Sequence, residues 1–270
     1  MIVKHLVIAM LFFISLQTNA NEKQSINPDT LLNQTDNKGL KQGFWRVAYE
    51  NGKTKYEATF KDNKPVGEMK RYYEDGTIKA IMIFDNTGKK SRAKLFYTNG
   101  ILATEGNFIE SMKDSIWKYY SYYDTILKME ESYVNGIKNG VTKKYYSNKK
   151  IAEILEFKNG LKNGSWKEYF DNGTLKLEAN YVNDKRDGEF ETFYSTGKPE
   201  MKGFFKNNFK EKEWKYFDED GNIKMTINYV NNIPQNPETL DKNQEEFFKS
   251  LDSNKGKIPE PDETNIIPEK

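Results

Sequence analysis

The chain has 270 residues and a near-balanced charge: 42 basic and 40 acidic side chains, a formal net of +2, with no basic stripe, which gives nucleic-acid binding little support. It contains no cysteine and a single histidine, His5, so disulfides and thiolate metal sites are excluded from the composition. Aromatic residues are abundant, at 14%.

The N-terminus reads as a secretory signal. Lys4 and His5 precede an apolar run from Leu6 to Leu16, and Thr18-Asn19-Ala20 supplies small residues for a cut after Ala20. A run of eleven residues is too short to span a bilayer. No cysteine follows the cut, so a lipid anchor is not expected, and the mature chain is expected to be secreted or periplasmic. Without its only histidine that mature chain has no Ser-His-Asp, Cys-His or imidazole metal chemistry. Residues 21–42 are polar and aperiodic, a flexible lead-in.

From Gly43 a repeat takes over. Units begin at Gly43, Gly67, Ser91, Ser115, Gly140, Gly164, Gly188 and Lys212, in steps of 24 residues with one step of 25. All four tryptophans, Trp45, Trp117, Trp166 and Trp214, occupy the same place, two residues after a unit start. Aromatics follow five and six residues after the start, then a turn dipeptide such as Asn51-Gly52, Asp75-Gly76 or Asn172-Gly173, which predicts a type I′ turn. The second half of each unit alternates at period two, as in Leu175, Leu177, Ala179 and Tyr181, so each unit is a β-hairpin with one apolar face. Second turns such as Asn135-Gly136 and Asn159-Gly160 lead onward. Eight hairpins predict about sixteen strands in one elongated, twisted or curved antiparallel sheet over 43–233, roughly 75 Å long at ~4.8 Å per strand.

The unit from Gly164 to Asp187, GSWKEYFDNGTLKLEANYVNDKRD, resembles the variant MORN repeat of bacterial proteins, many of them labelled as YwqK-type antitoxin-like. The resemblance runs from Gly43 to about Asn232 and implies an elongated, curved β-sheet with a non-enzymatic scaffold or binding role. Two units depart from it: the fourth has Tyr123-Asp124 in place of the turn glycine, and the fifth has Asn148-Lys149.

Carboxylates remain as candidate catalytic groups, but Glu57, Glu105 and Glu178 recur at equivalent positions, and a feature repeated in every unit is structural first. No catalytic, cofactor or metal residue is assigned. The aromatic register has two readings: a platform that stacks on sugars or grips peptide, or rings that glue a thin sheet together. For the tryptophans the second is favoured. Tyr72, Phe96, Tyr169 and Phe193 have the opposite strand parity and are candidate partner contacts.

After Asn232 the pattern changes. Asn236-Pro237 reads as a helix start, and Leu240, Phe247, Phe248 and Leu251 share a helical face, predicting a helix from about Pro237 to Asp252 within a capping segment over 234–253. Phe247 and Phe248 join the candidate contacts, since such a helix could cap the sheet or bind a partner. Residues 254–270 are charged, Pro-rich and expected to be disordered. The expected function is an exported, non-enzymatic repeat scaffold that binds a protein partner. The alternative is a glycan or cell-envelope polymer module using exposed aromatics. The near-neutral charge argues against a membrane surface as partner.

Overall fold

A computed structural model describes residues 32–236 together with Glu238, Thr239 and Lys249. Sixteen long strands form eight hairpins: β2 (Lys41–Ala48) with β3 (Thr54–Lys61), β4 (Lys64–Tyr72) with β5 (Ile78–Phe84), β6 (Lys90–Phe96) with β7 (Leu102–Ile109), β8 (Met112–Tyr120) with β9 (Leu127–Val134), β10 (Ile137–Tyr145) with β11 (Ile151–Lys158), β12 (Leu161–Tyr169) with β13 (Leu175–Val182), β14 (Lys185–Phe193) with β15 (Pro199–Lys206), and β16 (Phe209–Phe217) with β17 (Ile223–Val230). Two-residue strands, β1 (Gln34–Thr35) and β18 (Ile233–Pro234), flank them. Each strand pairs antiparallel with its sequence neighbours, giving one open meander of 18 strands. The later part of the expected lead-in, from Leu32, folds back on β2. Among the described residues no helix is long and apolar enough to cross a membrane.

The Asn-Gly tips are not the predicted type I′ turns. At the first tip only Gly52 has a positive φ, 79°; its N–H donates to Tyr49 O at 3.0 Å, and Tyr49 N–H donates to Lys53 O at 2.8 Å. This is a type I turn closed by a glycine bulge. Asn51 Oδ1 accepts the Lys53 N–H at 3.0 Å, which holds the asparagine in its ordinary right-handed conformation. The fifth tip keeps this geometry, with Lys149 in the glycine's place at φ 68°. The paired positive φ values of type I′ occur at the opposite rim, for example Asn135 (49°) with Gly136 (79°) and Asn207 (49°) with Asn208 (71°). The sheet therefore has a bulge-turn rim and a type I′ rim.

The core is one row of side chains across the apolar face. Register carries it from Trp166 to Ala179, Phe190 and Gly203, and from Trp214 to Ile227. No second layer covers this face among the described residues, yet Trp214 and Ile227 are fully buried and Trp117 is 1% exposed, whereas Trp45 and Trp166 are half-buried. The difference is the preceding strand. A Cβ on Gly203 would lie 2.2 Å from the Trp214 ring, and one on Gly106 would lie 2.4 Å from Trp117, so these two indoles sink onto bare backbone. Trp166 instead faces Leu155. Phe205, at 5.0 Å between ring centroids, and Tyr229, at 6.2 Å, close over Trp214 from either side.

The other face carries a ladder of charge. Arg46, Glu57 and Lys70 are successive neighbours in one row, as are Lys94, Glu105, Lys118, Glu130 and Lys143. Opposite charges directly across strands stabilise modestly and keep the exposed face solvated.

Hydroxyls tie successive hairpins along the bulge-turn rim. Tyr49 donates to Tyr72 O at 2.7 Å, Tyr73 to Phe96 O at 2.7 Å, Tyr97 to Tyr120 O at 3.0 Å, Tyr146 to Tyr169 O at 2.6 Å and Tyr194 to Phe217 O at 2.8 Å. Phe170 holds the equivalent place without a hydroxyl. Phe170→Tyr should add the missing tie to Phe193 O and raise stability by about 0.5–1.5 kcal/mol; a melting point equal to or below that of the parent chain would show that this tie does not form.

Asparagine amides seal both edges. Asn33 pairs with the backbone of Arg46 through Nδ2 (3.0 Å to O) and Oδ1 (2.9 Å from N). Asn236 does the same at the far edge, its Oδ1 accepting Asn228 N–H and its Nδ2 donating to Thr226 O, both at 3.0 Å. Side-chain amides thus imitate a further strand, and β18 covers β17 at Tyr229 and Val230. Of the helix expected after Pro237, Glu238, Thr239 and Lys249 have helical backbone; its apolar face, Leu240, Phe247, Phe248 and Leu251, lies outside the described residues, as do the signal segment 1–20 and the tail 254–270. The edge cover expected of a capping helix is supplied among the described residues by β18 and Asn236.

Candidate functional site

Tyr72, Phe96, Tyr169 and Phe193 are brought to the bulge-turn rim, each at a register shift in its strand. All four are half-buried, as Trp166 is. The Tyr72 hydroxyl donates to Glu57 at 2.7 Å, and Tyr120 and Tyr145 make the same bond to Glu105 (2.8 Å) and Glu130 (2.9 Å). Burial and the adjacent carboxylate push all three phenols up to about 12. Each is therefore held neutral in the fold: its contribution is complete below the unfolded value near 10 and is lost as pH rises toward 12. Titration followed at 295 nm should show at least three phenols ionising well above the ordinary range, since burial also raises Tyr119, Tyr133, Tyr194 and Tyr229, with stability falling in that window. Ionisation of all tyrosines near pH 10 would refute the pairing. Phe247 and Phe248 lie outside the described residues.

A polar cluster interrupts the core row between the fourth and fifth hairpins. Glu131 stands where the other units have Ala58, Met82, Gly106, Leu155, Ala179, Gly203 or Ile227, and it is 5% exposed. It contacts the Lys138 ammonium and accepts from the Tyr133 hydroxyl at 2.6 Å; Tyr133 lies 3.5 Å from the Tyr119 hydroxyl, which accepts from Lys113 Nζ at 2.8 Å. Burial alone would raise the Glu131 pKa, but the bonds from Lys138, Tyr133 and Tyr119 outweigh it and hold the carboxyl below its ordinary value. Burial pulls the Lys113 ammonium down.

These lysines belong to a row that sequence reasoning missed. Lys113, Lys138, Lys162, Arg186 and Lys210 sit directly across from Phe108, Tyr133, Phe157, Tyr181 and Phe205. Each also reaches the next ring along: Lys138 is 5.3 Å from Phe157, Lys162 4.9 Å from Tyr181, and Arg186 4.0 Å from Phe205. Rings and cations alternate, so the aromatic face is closed by cations lying over it. The signal was available: a cation stands two residues before seven of the eight unit starts, with Pro65 before Gly67 the exception.

The type I′ rim is different in kind. Six cross-strand pairs flank its turns from β7 onward: Ile109 with Met112, Val134 with Ile137, Lys158 with Leu161, Val182 with Lys185, Lys206 with Phe209, and Val230 with Ile233. Their side chains have the parity of the charged face. Eight of the nine apolar members are exposed, from 40% at Met112 to 64% at Ile233. They are contiguous: Met112 lies against the next turn at Gly136, and Ile137 against Gly160, each at van der Waals distance from where a Cβ would stand. The corresponding first pair is Lys61 with Lys64, so the stripe belongs to the later hairpins.

Sequence comparison accounts for the hairpins. The MORN repeat variant family matches residues 43–62, 65–86, 138–159, 162–183, 186–207 and 210–231. The chain is a MORN repeat protein. Among curated proteins none is significantly similar to it. The six matches leave 87–137 between them, and that stretch of the MORN array holds Glu131, Tyr119, Tyr133, Lys113 and the start of the apolar rim. Among the described residues no group of three or more His, Cys, Asp or Glu side chains is placed to hold a metal ion.

Proposed function

We propose that this MORN repeat protein is an exported, non-enzymatic scaffold that binds a protein partner along the type I′ rim of its sheet. The observation that carries the reading is the line of exposed apolar side chains from Met112 to Ile233. A soluble surface does not keep such a contiguous patch without use for it. Short strands and side-chain amides occupy much of both strand edges, which favours the rim over strand addition as the route of association. An antitoxin- or immunity-like role would make the partner an exported toxin. The test is affinity capture from the native host with the parent chain and with Val182→Lys/Ile137→Lys. A partner held by the parent and lost by the variant supports the reading, and equal capture by both refutes it. Fractionation that finds a mature chain beginning at Asn21 outside the cytoplasm supports export.

A second reading, glycan binding, rests on the fourth tip. Tyr97, Tyr122 and Tyr123 stack edge-to-face with centroids 5.0 and 5.3 Å apart, and Tyr123 is 88% exposed. Loss of sugar binding in Tyr122→Ser/Tyr123→Ser would favour it.

A further inference from the structure

The rim has a cadence as well as a composition. Each strand from β8 to β18 brings one side chain to it, and neighbouring strands lie ~4.8 Å apart. An α-helix advances ~5.4 Å per turn and presents an apolar seam of about one residue per turn. Laid across the strands along the rim, it falls out of step by only about 0.6 Å per strand, or one turn in about nine strands. An extended segment repeats its same-side residues only every ~6.7 Å and slips by about 2 Å per strand.

Charge narrows the occupant further. The stripe's three polar members are Lys158, Lys185 and Lys206, and it contains no carboxylate. Lys206 is bridged to Asp187 at 3.1 Å, but among the described residues neither Lys158 nor Lys185, at the centre, has a carboxylate within 4.0 Å. A second copy docked about a two-fold axis at that centre would set Lys158 against Lys185 of its twin, a like-charge contact. A helix carrying carboxylates beside its seam meets both lysines favourably.

We infer that the type I′ rim from β8 to β18 is a docking track for an amphipathic α-helix with an acidic flank, supplied by the partner polypeptide. This rests on the protein-binding reading above and specifies its partner. About ten strand spacings give a track of ~48 Å, enough for a helix of roughly 30 residues. At a helix width of ~10 Å, about 500 Å² is covered on each side, near the lower bound for a specific interface, so micromolar affinity is expected.

The probe is a synthetic 28-residue helix, a length of ~42 Å, with leucines at i, i+3 and i+4 spacing flanked by glutamates. It is titrated against the full chain by fluorescence anisotropy beside a seam-scrambled control and a lysine-flanked control. The acidic helix should bind in the micromolar range and the controls at least tenfold more weakly. Val182→Lys should weaken binding at least tenfold, and Lys158→Glu/Lys185→Glu should switch the preference to the lysine-flanked helix. Equal binding of the scrambled peptide, or binding indifferent to these substitutions, overturns the inference. So does a concentration-dependent dimer, or cosedimentation with phosphatidylglycerol vesicles, that Val182→Lys abolishes. If native partner capture depends on the rim while the acidic helix does not bind, the helix is wrong and the rim reading stands. If capture ignores the rim, both fall.

Discussion

Trp214→Ala should cost about 3–5 kcal/mol and loosen the last two hairpins before the rest. Trp214 is fully buried between Phe205 and Tyr229, over Gly203, in a buried apolar cluster with Leu177, Ala179, Phe190 and Ile227. Its removal leaves a void that no second layer among the described residues can collapse into. Because each hairpin touches only its neighbours, the loss should be local: hydrogen exchange should accelerate in β14 to β17 and little in β2 to β5. Trp45→Ala, at a half-buried ring beside the short β1, should cost distinctly less. Gly203→Val tests the same contact from below. Its side chain would begin 2.2 Å from the indole, so the ring must leave its seat, with an overpacking cost of about 1–3 kcal/mol. Equal losses for Trp45→Ala and Trp214→Ala, or a neutral Gly203→Val, would contradict the account of the glycine seat.

Glu131→Leu is the second large expected effect. Breaking a buried ion pair typically costs 3–5 kcal/mol, but the Lys138 side chain is 37% exposed and can turn to water, so about 2–3 kcal/mol is expected here. The double variant Glu131→Leu/Lys138→Leu should recover most of this, since an apolar residue is what the other units carry at that place. The pH dependence follows from the lowered pKa of Glu131. Its stabilisation is complete above the ordinary value of 4.5 and is lost as pH falls through the lower folded value. Acid melting of the parent should show this loss, and Glu131→Leu should lack that component. A double variant no more stable than the single one would mean that the carboxylate is not held by Lys138.

Much of the fold was legible because a hairpin is a local object. Period-two alternation fixed which side of each strand is apolar, and the 24-residue step fixed the strand count and the places of Trp117, Trp166 and Trp214 on one face. The candidate contacts Tyr72, Phe96, Tyr169 and Phe193 were chosen for a strand parity opposite to that of the tryptophans, but exposure does not follow from parity. Their rings are half-buried at bulges, and Tyr72 is bonded to Glu57 of the preceding strand. The turns failed for a related reason. An Asn-Gly dipeptide permits both a type I′ turn and a type I turn with a glycine bulge, and the bond from the Lys53 N–H to Asn51 Oδ1 settles it only once the flanking strands are in place.

The sequence by itself determined that this is an array of eight hairpins with one aromatic and one charged face, since each rests on residues a few positions apart. Tertiary structure alone decided the rest: which tryptophans are sealed, how the edges are closed, that Glu131 lies among lysines and tyrosines, and that apolar residues beside the type I′ turns line up into one exposed track. Each of these depends on neighbours some ten to twenty-four residues away, brought within a strand spacing or two only when one strand pairs with the next.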